Sequence, residues 1–179
     1  LELSSAWHRL CRRRARTRFK HCDGCSMKLT VICVGRALPG QLQDVVNDYE
    51  QRLKPFAEFD WRLVKPATLA NAQQSLQAES GKILALLQPS DNVILLDERG
   101  TQQTNTGFAR TFETLLAQQG RLVLIIGGAY GVSDEVRQRA DFVWSLSKLV
   151  LPHELVRVIL SEQIYRTFMV LQSHPYHHS

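Results

Sequence analysis

Apolar and polar residues follow two periods along residues 29–172, one typical of strands and one typical of helices. Short runs rich in β-branched residues predict strands at 29–35, 59–65, 92–97, 121–128 and 142–146. Segments with apolar residues three and four positions apart predict helices at 42–53, 69–87, 107–119, 133–140 and 153–172. Because the two kinds of element alternate, the pattern predicts one α/β domain with a mostly parallel sheet and helices on both faces.

Three loops that follow predicted strands differ in composition from the rest of the chain. They begin after Asp97, at Gly127 and at Ser145. In a parallel sheet the carboxyl ends of the strands share one edge, and ligands bind in the crevice beyond it. The sequence therefore predicts a ligand site at this edge.

The loop "IIGGAYG" (125–131) joins the most apolar strand to a short helix through Gly127, Gly128 and Gly131. Glycine lets a ligand approach the backbone closely because it has no Cβ. The spacing matches neither the dinucleotide-binding fingerprint nor the Walker A loop. A tight turn and a ligand loop are both compatible with these residues.

The segment "LLDERG" (95–100) places Asp97, Glu98 and Arg99 where a strand is predicted to end and a polar loop to begin. A carboxylate there could bind ribose hydroxyls or alter a neighbouring pKa. Helix capping and surface solvation are the more common roles of such residues.

The segment "SLSKLVLPHE" (145–154) is apolar and yet interrupted by Pro152. Proline lacks an N–H and favours an extended residue before it, so the segment is predicted to run extended up to the last helix. Its free backbone groups suit the edge of a flat purine, and a buried crossover is the alternative. Arg157, on the first turn of that helix, could lie beside a ligand or form a surface ion pair.

The composition is that of a soluble globular protein, with 44% hydrophobic and 22% charged residues in 179. No apolar run approaches the ~18 residues of a membrane span. The net charge of +5 comes from residues 1–26, which hold seven Lys/Arg and two Asp/Glu, whereas residues 27–179 hold 15 of each. An RNA partner of the domain would therefore be bound by local patches.

Residues 1–26 are expected to be a leader outside the folded domain, and residues 27–179 to form that domain. A basic RNA-binding arm and a zinc site built from His8, Cys11, Cys22 and Cys25 are the alternatives. Since the domain has a single cysteine, Cys33, in an apolar strand, a reduced cytoplasmic compartment is expected.

The tail is rich in histidine, at His174, His177 and His178. Together with His153 these side chains could suggest a metal site, but docking onto a partner chain or disorder is more common for a terminal segment. No metal is expected, and the domain lacks the motifs of serine hydrolases and zinc peptidases.

Five segments in order resemble one family across residues 27–179, namely "MKLTVICVG", "LLDERG", "LIIGGAYG", "WSLSKLVLPHELVRVILSEQIYR" and "HPYH". The family is that of the SPOUT-class RNA methyltransferases, and within it the ribosomal RNA large subunit methyltransferase H family. The resemblance implies methylation of N3 of a pseudouridine in 23S ribosomal RNA, with S-adenosylmethionine as methyl donor. It also implies a C-terminal trefoil knot, which general folding rules would have rejected.

The resemblance further implies a homodimer whose substrate pocket lies between subunits, and it implies site residues. The implied cofactor contacts are Leu96, Gly127, Gly128, Ser147, Lys148, Leu149, Val150, Leu151 and Pro152. The implied catalytic residues are Arg157, His174, Tyr176 and His177. The chain departs from the family at His178, where a basic residue is usual, so a phosphate contact there would depend on pH.

Two other functions fit the residues. One is a nucleotide-binding or ribosome-binding α/β module without turnover, and the other is an RNA-binding or zinc-binding role of the leader.

Overall fold

The computed structural model describes residues 27–172, which form five strands and five helices. The strands are β1 (Met27–Val34), β2 (Ala57–Val64), β3 (Asn92–Thr101), β4 (Leu122–Ile126) and β5 (Phe142–Trp144). The helices are α1 (Gly40–Leu53), α2 (Ala72–Leu86), α3 (Asn105–Ala117), α4 (Asp134–Arg139) and α5 (His153–Leu171). Each predicted element is therefore present, with bounds shifted by a few residues.

The five strands form one sheet in the order β2-β1-β4-β3-β5, and every pair of neighbours is parallel. Parallel strands need crossovers, and the helices between them supply these. The predicted α/β class with a parallel sheet is thus confirmed. The trefoil knot stays a prediction.

The core consists of two apolar layers, one on each face of the sheet. Successive side chains of a strand point to opposite faces, so Cys33 faces one layer and Val34 the other. The first layer contains residues of α1, α3 and α5, such as Leu160, which is fully buried. The second contains residues of α2 and α4, such as Ile83. Helices therefore cover both faces, as predicted.

One predicted boundary is wrong, because β3 does not end at Asp97 but continues to Thr101. Trp144 of β5 pairs with both Leu96 and Thr101, so the residues between them form a bulge. The backbone N–H of Ser145 then donates to the carbonyl of Thr101 at 3.1 Å. The polar composition of this segment concealed it, since the exposed end of a strand carries polar side chains as a loop does.

Within residues 27–172, no helix has the length and apolar content that crossing a membrane requires.

Gly120, between α3 and β4, gives a prediction about stability. Its φ is +112°, and a Cβ there would lie 1.8 Å from the carbonyl oxygen of Ser90. Gly120→Ala is expected to lower the free energy of unfolding by about 2–4 kcal/mol, from backbone strain and the clash. Urea unfolding followed by circular dichroism measures this.

Gly81→Ala is the matched control, because Gly81 lies inside α2 and a Cβ there meets nothing within 4 Å. The control should gain about 0.5–1 kcal/mol, since alanine favours the helix. Equal losses in the two variants would contradict the explanation.

Candidate functional site

A cleft of about 670 Å³ lies at the C-terminal edge of β3, β4 and β5. The three loops singled out in the sequence form its walls, together with the first residues of α5. The lining residues are Leu96, Asp97, Glu98, Arg99, Ile126, Gly127, Gly128, Ala129, Tyr130, Gly131, Val132, Trp144, Leu146, Ser147, Leu149, Val150, Leu151, Pro152, His153 and Val156. A volume of this size suits a small organic ligand.

The structure brings eight of the nine predicted cofactor residues to this cleft, and Lys148 is the exception. Lys148 is exposed on the same loop but does not line the cleft. Contact of these nine residues with a cofactor stays a prediction.

The glycine loop of residues 127–131 is a tight turn that also lines the cleft, so the turn is confirmed and ligand binding by the loop stays a prediction. The N–H of Gly131 donates to the carbonyl of Gly128 at 3.0 Å and closes the turn. A Cβ on Gly127 would lie 2.9 Å from Cγ1 of Val132, so there is no room for a side chain. The backbone itself therefore forms this wall of the cleft.

Helix α2 supports the glycine loop from the other side. A Cβ on Gly128 would lie 2.3 Å from Oε2 of Glu79, whose side chain is buried. Oε1 of Glu79 accepts from the backbone N–H of Ala67 at 2.8 Å, whereas Oε2 has no hydrogen-bond partner in residues 27–172. Ser80 accepts from the N–H of Ser133 at 2.9 Å, beyond the loop.

Glu79 was missed by the sequence analysis, although one signal was present. It lies three residues after Leu76 and four before Ile83, on the apolar stripe of the predicted helix. An acid on such a stripe is a candidate for a buried role.

The wall formed by residues 145–152 has no regular secondary structure, and serine side chains shape it. The hydroxyl of Ser145 donates to the carbonyl of Ser147 at 2.9 Å, and the N–H of Leu149 donates to the hydroxyl of Ser147 at 2.9 Å. Leu149 and Val150 are left 74% and 83% exposed. Adjacent exposed apolar side chains in a cleft indicate a surface that a ligand or partner covers.

An ion-pair cluster around Asp97 forms the rim of the cleft. Arg99 donates to Asp97 through Nε at 3.1 Å and through Nη2 at 3.2 Å, and Arg137 pairs with the same carboxylate. Burial acts to raise the pKa of Asp97, but the hydrogen bonds from Arg99 and the two cations outweigh it, so the pKa lies below its usual range. Asp97 is thus an ionised anchor for two arginines at neutral pH.

Arg157 does not line the cleft but is buried beside it, with only 3% exposure. Its Nε donates to Sγ of Cys33 at 3.0 Å, and its Nη2 has no hydrogen-bond partner within the described part of the chain. The surface ion pair considered for Arg157 is therefore wrong, since this side chain points inward and reaches Cys33 of β1.

The charge on Arg157 is not neutralised by Cys33. Burial raises the pKa of the Cys33 thiol above its usual value, although the nearby guanidinium opposes the rise. The thiol therefore stays protonated at neutral pH. Arg157 is thus a buried cation without an anionic partner among residues 27–172, which is costly to stability.

The remaining predicted catalytic residues, His174, Tyr176 and His177, lie outside the described residues, as do His178 and the leader of residues 1–26.

Comparison with known proteins identifies the family. Residues 27–177 match the family model described as predicted SPOUT methyltransferase. Three similar proteins are each named ribosomal RNA large subunit methyltransferase H. They come from Bacteroides fragilis (40% identity, 85% of this chain), Gloeobacter violaceus (38%, 85%) and Chromobacterium violaceum (36%, 84%), and 99% of each is covered. The chain belongs to the SPOUT methyltransferase family.

Proposed function

We propose that this protein transfers the methyl group of S-adenosylmethionine to N3 of a pseudouridine in 23S ribosomal RNA of the large ribosomal subunit. The observation that carries the proposal is the cleft at the strand ends, with one wall of glycine backbone and one of exposed apolar side chains. The three similar proteins also support the proposal, because each is named ribosomal RNA large subunit methyltransferase H.

The residues of the cleft fit S-adenosylmethionine by shape and by chemistry. Gly127 and Gly128 line the cleft and carry no side chain, so a ligand can lie against their backbone. Leu149, Val150 and Leu151 offer an apolar surface to a flat adenine ring. Leu96, Ser147 and Pro152 complete the proposed contacts from residues that line the cleft, whereas Lys148 does not line it.

When bound, S-adenosylmethionine supplies an activated methyl group on a sulfonium, so the protein mainly has to align the acceptor and accept its proton. With the donor bound, residues of this chain would have to hold N3 in line with the methyl group and provide an acceptor for the N3–H proton.

We assign Arg157 to stabilising the negative charge that develops on the base, because it is a cation without a counter-ion. His174 or His177 accepts the proton directly or through water, and Tyr176 helps to form the pocket.

The protein is proposed to act in the cytoplasm as a homodimer whose substrate pocket lies between the subunits. The exposed Leu149 and Val150 support this, since an apolar cleft wall that is 74% and 83% exposed suits coverage by a second chain in addition to the ligand.

Leu149→Asp tests the proposed cofactor cleft. Leu149 is 74% exposed, so the folded core should not change. S-adenosylmethionine should bind at least about tenfold more weakly, because an apolar contact of about 1.5 kcal/mol or more is lost. Titration calorimetry measures the affinity, and light scattering checks that the oligomeric state is kept.

Leu69→Asp is the matched control, because Leu69 is 52% exposed and lies outside the cleft. Equal weakening in both variants would refute the placement of the cofactor, and absence of binding by the unmodified protein would refute the enzyme proposal itself.

Arg157→Met separates catalysis from stability. Replacing a buried cation that lacks an anionic partner by an apolar side chain of similar length should leave the free energy of unfolding unchanged or raise it. Turnover should fall by about tenfold or more, since a buried cation beside the cleft stabilises the developing charge through its field without direct contact. Affinity for S-adenosylmethionine should not change, because Arg157 does not line the cleft. Turnover near the normal rate would exclude the assigned role.

The reaction and the tail residues are tested together by mass spectrometry of 23S ribosomal RNA. Cells that lack the gene should lose one methyl group on a pseudouridine, and the intact gene should restore it. A gene with His174→Ala and His177→Ala should restore it at least about tenfold more slowly if either histidine accepts the proton. Full restoration at the normal rate, with normal cofactor binding, would exclude the histidines as bases.

A further inference from the structure

Two neighbouring strands are each followed directly or almost directly by a cation. β1 and β2 are in register with Val34 opposite Val64, and the N–H of Gly35 donates to the carbonyl of Val64 at 3.0 Å. Arg36 and Lys65 therefore leave the sheet side by side at its C-terminal edge, and both are exposed. The strand register alone brings two positive charges together.

Helix α2 adds a third cation at the same place. Nζ of Lys82 donates to the backbone carbonyl of Lys65 at 3.4 Å, and Lys82 is exposed. This hydrogen bond holds the ammonium group over the end of β2. Arg36, Lys65 and Lys82 are called here the strand-end patch.

Among residues 27–172, no acidic side chain pairs with the strand-end patch. Some exposed arginines elsewhere do pair with an acid, as with Arg52 and Asp48 at 2.7 Å or Arg62 and Asp60 at 2.9 Å, whereas exposed Arg110 does not pair within residues 27–172. No patch residue forms an ion pair with any carboxylate in residues 27–172. Glu79 binds the N–H of Ala67 in the loop after Lys65, but its side chain is buried and Oε2 faces Gly128.

A fourth positive charge lies beneath the patch. Nη2 of Arg157 lies next to Gly35, the residue before Arg36, since a Cβ placed on Gly35 would be 2.5 Å from it. This nitrogen has no hydrogen-bond partner among residues 27–172. A buried charge is less screened by water and salt than a surface one, so it strengthens the positive potential at this edge.

The patch borders the cleft. Cδ2 of His153 would be 3.1 Å from the same Cβ on Gly35, and His153 also lines the cleft. A chain of nucleotides crossing the patch would thus reach the cleft at the first residue of α5.

We propose that the strand-end patch binds the phosphate backbone of the RNA whose base enters the cleft. The inference rests on the proposed function. A positive patch could bind RNA or another polyanion, and RNA is chosen because it is the proposed substrate of the adjoining cleft. Exposed cations without structural partners are available to phosphates, which supply most of the affinity in nucleic-acid binding. Residues 27–179 carry equal numbers of acidic and basic residues, so a local patch has to provide this attraction.

The test removes the three charges from the full-length protein, as Arg36→Gln, Lys65→Gln and Lys82→Gln together. Binding to 23S ribosomal RNA transcribed in vitro is measured by filter retention across a range of salt concentrations. The slope of log affinity against log salt should fall by about 2 to 3, since each lost phosphate contact lowers it by roughly 0.7–0.9. At the lowest salt the affinity should fall by about tenfold or more.

A second triple variant, with Lys28→Gln, Lys54→Gln and Arg110→Gln, is the matched control. It also removes two lysines and one arginine, all exposed and without an ion pair in residues 27–172. Lys28 and Lys54 lie at the opposite, N-terminal edge of the sheet. The control should keep its salt slope within about 0.5, because no phosphate contact is lost.

Several results would overturn the proposal. Equal loss in the two triple variants would mean that only total charge matters. Unchanged RNA binding with weakened binding to large ribosomal subunits would mean that the patch contacts an acidic protein surface. Failure of the proposed function can be told apart from failure of the patch proposal. In the first case the unmodified protein would bind no S-adenosylmethionine in calorimetry. The salt slope would still decide whether the patch binds RNA.

Discussion

The parallel hydrogen bonding of β4 to both β1 and β3 is the constraint on which the rest of the structure depends. Together with the parallel pairs β1–β2 and β3–β5, it makes all five strands run in one direction, so every strand ends at the same edge. The cleft lies at the ends of β3, β4 and β5, and the strand-end patch lies at the ends of β1 and β2. One edge thus provides two adjoining surfaces, and His153 lies at their boundary.

This edge carries features that reduce stability and that a fold without function there would avoid. Oε2 of Glu79 and Nη2 of Arg157 are buried without hydrogen-bond partners in residues 27–172, and Leu149 and Val150 are exposed. Buried polar groups are nearly always hydrogen-bonded, and local violations tend to mark functional sites. The two buried groups lie on opposite faces of β1, since Arg157 contacts Cys33 and Glu79 lies near Val34 through Gly128. A buried carboxyl group and a buried guanidinium group therefore flank the end of β1.

The elements of the fold were predictable because periodicity is a local property. Strand β4 is a continuous run of five apolar residues that ends at Gly127, and such a short run favours a strand covered on both faces. Most of the cleft was predictable for a related reason, since loops after parallel strands must meet at one edge. The end of β3 was not predictable, because its last residues are held by backbone hydrogen bonds to β5 that their polar side chains do not indicate.

The sequence by itself determined the α/β class, the glycine loop and the apolar segment interrupted by Pro152, because propensity and steric limits act within a few residues. Only the tertiary structure decided which side chains became partners. Arg157 meets Cys33 across 124 positions of sequence, and Lys82 meets the carbonyl of Lys65 because α2 packs over the end of β2. Such contacts depend on strand order and helix packing, which no local pattern encodes. For that reason the charge of Arg157 was visible in the sequence, and its burial was not.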